Sequence, residues 1–516
     1  LNNESLDSDI NLTLDASGQG FDPDSMDIFL VTDIQNSRFM DFDIDSTRLI
    51  MDVRRNDGGK KIINIISDIA DFTISGDFLI TTLGDVLSRE AEIINAAMEA
   101  KINPILKSDS TYISTSNILL PTTQNSIKDF ALEYLLDFKE SMNLTLGEGQ
   151  LNLEGQIDGK MESSNDSLTV SLNSKIDYLK YLNHKDVLFL VNANLKCVLA
   201  NHLIDGYSGN VFADVKFDAE RLYAGGNIYN IKSSFGLEEN DLIFSFDGQY
   251  EQDIFATLKA TALFDQEKLK INVDSLNLNY NKFIIKNKQD LKFTYADETI
   301  NFDEFELKIG DGSLTAVGAF GVAGDNELVI TLDSLSGNRI IKDIRGQLGD
   351  KEFDAKINMI ANIHGNFSDP KFSVTASANN IKYGDGNFGS LVSVFNYENN
   401  SLVTDVKFID STGNYDTPSM LISGFIPLNL TSINDSVDIS DKGIELTIES
   451  DEFDLSALKN ILPYVQFQEG KLETDIYITG TVAKPIAIGY FSINDARLKI
   501  TQNNLDYNLN AKIWID

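Results

Sequence analysis

The chain has 516 residues, 42% of them hydrophobic, and 79 acidic against 42 basic side chains leave a net charge of −37. That charge argues against DNA or RNA as a partner, since phosphate binding needs a basic stripe, and against electrostatic adsorption to anionic head groups. The single cysteine, Cys197, excludes an intramolecular disulfide, and no apolar run of about 18 residues is present to span a bilayer as a helix.

Residues 1–81 read as strands. Ile10, Leu12 and Leu14 alternate until Gly18 and Gly20 interrupt them. Asp41, Asp43 and Asp45 alternate with Phe42 and Ile44, which places the carboxylates on one solvated strand face. A calcium loop also spaces acids by two, but it needs Gly at its sixth position, where this run has Ser46. Ile62, Ile63, Ile65 and Ile66 then lead to Asp71 through Gly76.

Over 82–139 the period changes. Leu87, Ala91, Ile94, Met98 and Ile102 recur at three and four residues, which predicts an amphipathic helix, with Thr82 and Asp85 as a capping box and Pro104 as its end. A second helix is predicted over Ser126–Lys139 from Ile127, Ala131, Tyr134 and Phe138. Both are expected to cover an open part of the sheet; the functional alternative is a lid on an apolar groove.

From Met142 onward period two dominates. Leu168, Val170 and Leu172 alternate, as do Val211, Ala213, Val215 and Phe217. Ile254, Ala256, Leu258, Ala260 and Ala262 follow, then Leu269, Ile271 and Val273. Turn residues separate the runs and no helical crossovers intervene, so neighbouring strands are expected to be antiparallel. Asn338–Asp350 reads as a link, dividing a β segment over 140–337 from another over 338–516. Ile444, Leu446 and Ile448 form a further run, and Phe453, Leu455, Leu458 and Leu462 precede Pro463.

No constellation carries catalytic chemistry. Gly384, Gly386 and Gly389 spell a G-x-G-x-x-G, but the strand-like Leu391, Val392, Val394 and Phe395 follow where a dinucleotide site opens a helix. His184, His202 and His364 are too sparse for a zinc site without thiolates. The chain is read as a non-enzyme that needs no cofactor or metal.

The most regular stretch is Gly470–Ile500. Leu472, Ile476 and Ile478 share one parity, Gly480 and Thr481 interrupt, Pro485 follows, and after Gly489 a second strand carries Phe491, Ile493, Ala496, Leu498 and Ile500. A looser copy lies at Ile357–Leu402, with Gly365, Asn366 and Pro370 in the corresponding order. This skeleton resembles the AsmA-like/TamB family of bacterial envelope proteins, in which a strand ending in Gly-Thr, a few polar residues, Pro and a Gly-led strand recur. Phe305–Leu332, with its Gly-X-Gly turn at Gly310 and Gly312, and the Asp-Leu-Ser-x-Leu stretch at Asp454–Leu458 look like the same family.

The resemblance implies a mostly β fold, an elongated antiparallel sheet of repeated strands curled about its long axis. About 30 strands at about 4.8 Å would stack to on the order of 140 Å. It also implies a groove in the periplasm that carries phospholipid acyl chains between inner and outer membranes. Anchorage in the inner membrane would come from a segment missing here, and an outer-membrane β-barrel would be the partner. A chain that opens on Leu1 and still reads as a strand at Lys512–Asp516 is accordingly expected to be a fragment. The groove-lining set is expected to be Ile254, Leu258, Leu269, Ile271, Val273, Ile444, Leu446, Ile448, Leu472, Ile476 and Ile478. Two alternatives stay open: an assembly factor offering sheet edges to nascent β-proteins, and a structural β-repeat adhesin with a closed core.

Overall fold

Period-two patterning leaves an antiparallel chain no outlet but sheet, and strands dominate throughout. The computed structural model describes residues 8–39, 42–81, 83–84, 99, 102, 129–139, 143–146, 149–164, 167–183, 187–202, 211–265, 267–280, 283–322, 324–337, 353–384, 386–410, 415–430, 441–460 and 464–515. Contacts divide the chain into two units, Leu1–Leu276 and Asn277–Asp516. The predicted link at 338–350 lies outside the described residues.

In the first unit each registered strand pairs antiparallel with its neighbour in the chain, from Leu12–Gln19 through to Ile254–Asp265. Two strands are interrupted. Ser8–Asp9 and Leu12–Gln19 share one partner, and Phe130–Phe138 and Asn143–Leu146 share another. The second unit repeats the meander up to Leu505–Ile515, with Thr299–Glu304 and Glu306–Ile309 sharing Gly312–Gly321.

One predicted helix is a strand. Phe130–Phe138 pairs with Ala70–Asp77 on one side and Gly149–Ser164 on the other. The sequence FALEYLLDF satisfies both periods, since Phe130, Leu132, Tyr134, Leu136 and Phe138 also alternate. Pairing on both edges supplies backbone partners that an isolated helical turn lacks, and tertiary context overrides the weaker stripe. The other predicted helix begins at Ile80, where Ile80, Thr81, Leu83 and Gly84 are helical, as are Glu99 and Ile102; the remainder of 85–128 lies outside the described residues.

The hairpin Val465–Thr481/Lys484–Ile500 and its copy Phe353–Asn366/Asp369–Tyr383 close alike. Gly480 faces Pro485 with φ +92, and Gly365 faces Pro370 with φ +85. A Cβ at either glycine would meet a carbonyl oxygen, of Lys484 at 2.5 Å or of Asp369 at 2.3 Å. The Lys484 N–H donates to Thr481 Oγ1 at 3.2 Å, and the Asp369 N–H donates to Asn366 Oδ1 at 3.0 Å. Asn366 therefore performs in the copy the turn-closing task of Thr481. Gly384–Gly389 likewise opens a strand, Gly386–Glu398, not a helix.

Bulges recur at set places inside the strands. In the first unit the pairing skips Asp177, Asn192, Glu220 and Asn230, which stand opposite one another across successive strands. Asn192 and Asn230 have φ of 46 and 51, a left-handed conformation that Asn tolerates better than most residues. In the second unit Ser334 and Asp495 do the same, and each N–H donates to an Asn side chain on the neighbouring strand: Ser334 to Asn358 Oδ1 at 2.8 Å, Asp495 to Asn510 Oδ1 at 2.6 Å. Bulges bend their strand. The residue after each is buried: Ala193, Ile231, Leu335 and Ala496. Ala193, Ala219 and Ile231 form one buried cluster at the first unit's bulges.

Candidate functional site

Residues directly opposite in antiparallel strands share a face, so the register maps give rows of side chains running across the sheet. In the first unit one row is Gly18, Ile28, Val53, Ile63, Ile74, Tyr134, Gly159, Leu172, Cys197, Val215, Phe235, Phe244 and Ala260. Two residues further along the strands lies the next: Ala16, Leu30, Met51, Ile65, Phe72, Leu136, Ile157, Ser174, Leu195, Phe217, Ser233, Phe246 and Leu258. Neither row contains a charged side chain.

The row between them faces the other way and is polar: Ser17, Phe29, Asp52, Asn64, Thr73, Leu135, Asp158, Asn173, Lys196, Lys216, Ser234, Ser245 and Lys259. That opposite face also carries ion pairs such as Lys160–Glu133 at 2.6 Å and Lys216–Asp214 at 2.9 Å. Each exposed pair contributes at most about 1 kcal/mol, so these mark a solvated surface and not a stabilising device.

The second unit sorts in the same way. One row runs Leu307, Leu314, Leu332, Met359, Ala376, Ser393, Val406, Ile422, Ile448, Ile476, Gly489 and Ile515. The adjacent row on that face runs Ala316, Ile330, Ala361, Val374, Phe395, Thr404, Gly424, Leu446, Ile478 and Ala487. Between them, on the reverse face, run Glu306, Thr315, Thr331, Ile360, Thr375, Val394, Asp405, Ser423, Thr447 and Tyr477, seven of the ten polar or charged without counting Tyr477.

Val53, Ile74, Leu307, Ala316 and Ala361 in these rows are buried, but most of the larger side chains are only half covered. Leu30, Met51, Ile65, Phe72, Leu136, Ile157, Leu195, Phe217, Phe246 and Leu258 are all half-buried, as are Leu314, Leu332, Met359, Val406, Ile422, Ile448 and Ile476. A second sheet packed about 10 Å away would bury such a face completely. Here the larger side chains keep part of their surface in solvent.

Cover is local among the described residues. In the first unit Phe78, Ile80 and Leu83, where the helix begins, pack with Ile74, Leu132, Met161 and Leu168. Asp24 caps that helical start through Thr81, whose N–H donates to Asp24 Oδ1 at 3.2 Å, and hydrogen bonding to the Thr81 hydroxyl holds the Asp24 carboxyl below its ordinary range. Beside it the buried Lys61 donates to the Pro23 carbonyl at 2.7 Å; burial pushes its pKa down, partly opposed by Asp24. The titratable side chains within the first row stay neutral. Burial raises the Tyr134 hydroxyl, which donates to the Ser171 carbonyl at 3.0 Å, and burial together with Asp214 raises the Cys197 thiol.

The expected lining residues are distributed as follows. Leu258 lies in a first-unit row, and Ile254 on the same strand face continues a row through Leu179, Leu190, Leu222, Ile228 and Tyr250. Leu269, Ile271 and Val273 alternate on Lys268–Tyr280, with Val273 buried and the others half-buried. Leu446 sits opposite Ile478, and Ile448 opposite Ile476. Ile444 precedes the strand Glu445–Asp454 and donates its N–H to the Gly480 carbonyl at 3.1 Å. Leu472 lies opposite Phe453 and Ile493 and is covered by the chain's own 3-10 helix, Leu455–Asn460. Phe217, Phe235, Phe244, Phe246 and Met359 belong to the face without having been expected there; only register reveals them. His184 and the Asp41–Asp45 side chains lie outside the described residues, and among the described residues no group of His, Cys, Asp or Glu is arranged to hold a metal ion.

No protein-family model matches the chain. No curated protein matches it by sequence either.

Proposed function

We propose that the chain forms a hydrophobic groove that carries phospholipid acyl chains between the inner and outer membranes of a bacterial envelope, with head groups left in water. One observation supports the reading above the others: apolar rows without a charge cross the registered strands of each unit and stay half-open to solvent. Each CH₂ kept out of water is worth about 0.8 kcal/mol, so an acyl chain of about 16 carbons meets a barrier on the order of 12 kcal/mol in crossing water unaided. A continuous apolar row lets it exchange one contact for the next. The role requires no cofactor and no catalytic side chain, and the polar, charged reverse face together with the acidic net charge serves solubility. The periplasm and an outer-membrane β-barrel partner belong to the same proposal.

The test is transfer of a fluorescent phosphatidylethanolamine from donor to acceptor vesicles. Transfer that rises in proportion to protein concentration supports the groove. Transfer no faster than without protein removes it, and then binding to unfolded β-strands, or to nothing, separates the assembly-factor and adhesin readings.

A further inference from the structure

Among the described residues, the 3-10 helix Leu455–Asn460 packs over the apolar face of the second unit. Leu455 and Ala457 are buried, and Leu458 packs into the cluster around Phe388 and Phe453 as well as that around Phe467, Ala496 and Leu498. The segment is pinned. Asp454 Oδ1 accepts the Ser456 N–H at 2.8 Å, and the buried Asp410 accepts the Asp454 N–H at 3.0 Å. Ser450, also buried, donates to the Ser419 carbonyl at 2.6 Å. Asp410 follows the strand Ser401–Ile409 and Ser419 precedes Met420–Pro427, so the strand end that leads into the helix is tied to its neighbours. The helix itself is held by its Asp454 cap and the packing of Leu455, Ala457 and Leu458.

Phe408, Met420 and Leu472 on one side and Phe395 and Met359 on the other are all half-buried, and what separates the two sets is packing against the helix. Phe408, Met420 and Leu472 lie in the clusters beneath this helix. The rows through Phe395 and through Met359 have no such cover among the described residues. We propose that Leu455–Asn460 is a strap that closes one margin of the second unit's apolar face and confines a bound acyl chain to the rows on its other side. The inference rests on the lipid-groove reading and adds to it a boundary: lipid contacts Phe395 and does not contact Phe408.

The experiment places p-benzoyl-phenylalanine in place of Phe395 or Phe408, incubates each protein with vesicles of phosphatidylethanolamine, irradiates, and measures lipid adducts by mass spectrometry. The intact strap should give adducts at 395 and less than about a tenth of that yield at 408. Loosening the strap with Leu455→Ser plus Leu458→Ser, or by the milder Asp454→Ala should the double variant not fold, should raise the yield at 408 at least fivefold. Equal yields at the two positions with the strap intact would overturn the proposal, as would no gain at 408 when it is loosened. Absence of adducts at both positions in every variant counts against the lipid reading instead. The strap is then judged on lipid-free protein by carbene labelling with a small neutral diazirine. Labelling of Phe408 must rise in the loosened variant, and unchanged labelling rejects the strap.

Discussion

Replacing Ile476 by aspartate puts a carboxylate in the middle of an apolar row, opposite Ile448 and Gly489. Burying an isoleucine fully is worth about 1.5–3 kcal/mol, so losing this half-buried one costs about 1 kcal/mol of stability. The new carboxylate stays hydrated through the open side and adds little further cost. A bound acyl chain would strip that water. Leaving an unpaired charge dehydrated costs several kcal/mol, and at about 1.4 kcal/mol per tenfold, a penalty of about 3 kcal/mol weakens binding over this row about 100-fold.

Tyr477→Asp supplies the control one residue away, because Tyr477 belongs to the reverse face and is already exposed. Phospholipid per protein, measured in organic extracts after reloading from vesicles, should fall for Ile476→Asp and remain unchanged for Tyr477→Asp, with both proteins showing strand-type circular dichroism. Equal loss in the two variants, or no loss in either, would refute the assignment of faces.

Gly480→Val should lower stability by about 1–3 kcal/mol, since φ +92 is strained for a β-branched residue and its Cβ would press on the Lys484 carbonyl; a thermal melt several degrees lower than wild type checks this. Asn358→Ala removes the acceptor of the Ser334 N–H, should cost about 1–2 kcal/mol, and should speed amide exchange at 334 above that of strand residues remote from the bulge. Lys61 gives a pH signature. Its folded pKa lies below the unfolded value of 10.5, so between the two the unfolded chain binds more protons and stability rises with pH. Below the folded pKa the contribution is flat; denaturant titrations should show the alkaline rise in wild type and lose it in Lys61→Met.

Much of the sheet was legible because strands with one apolar face alternate openly, as Ile254–Ala262 and Leu472–Ile478 do. The paired hairpins at Gly365 and Gly480 were legible because a left-handed glycine opposite proline leaves a residue signature. Phe130–Phe138 was not, since its residues fit two periods and only pairing on both edges decides between them. Which strands share a face was also hidden. Bulges at Asn192, Asn230, Ser334 and Asp495 shift parity within a strand, so alternation counted along the chain loses the face at each bend. Leu472 shows a second limit: it keeps the face of Ile476 and Ile478, but a short helix packs over it, which alternation cannot reveal. The rows themselves exist only in the register, a property of pairs of strands.

The most direct test of an open apolar face is to strip the purified chain of lipid, reload it from vesicles of phosphatidylethanolamine, and count bound molecules by native mass spectrometry. At least one phospholipid per chain is expected, released when the apolar rows are interrupted by Phe246→Asp together with Ile476→Asp. A folded protein that stays lipid-free after reloading would contradict it, because half-buried rows without a charge would then be covered by something other than an acyl chain.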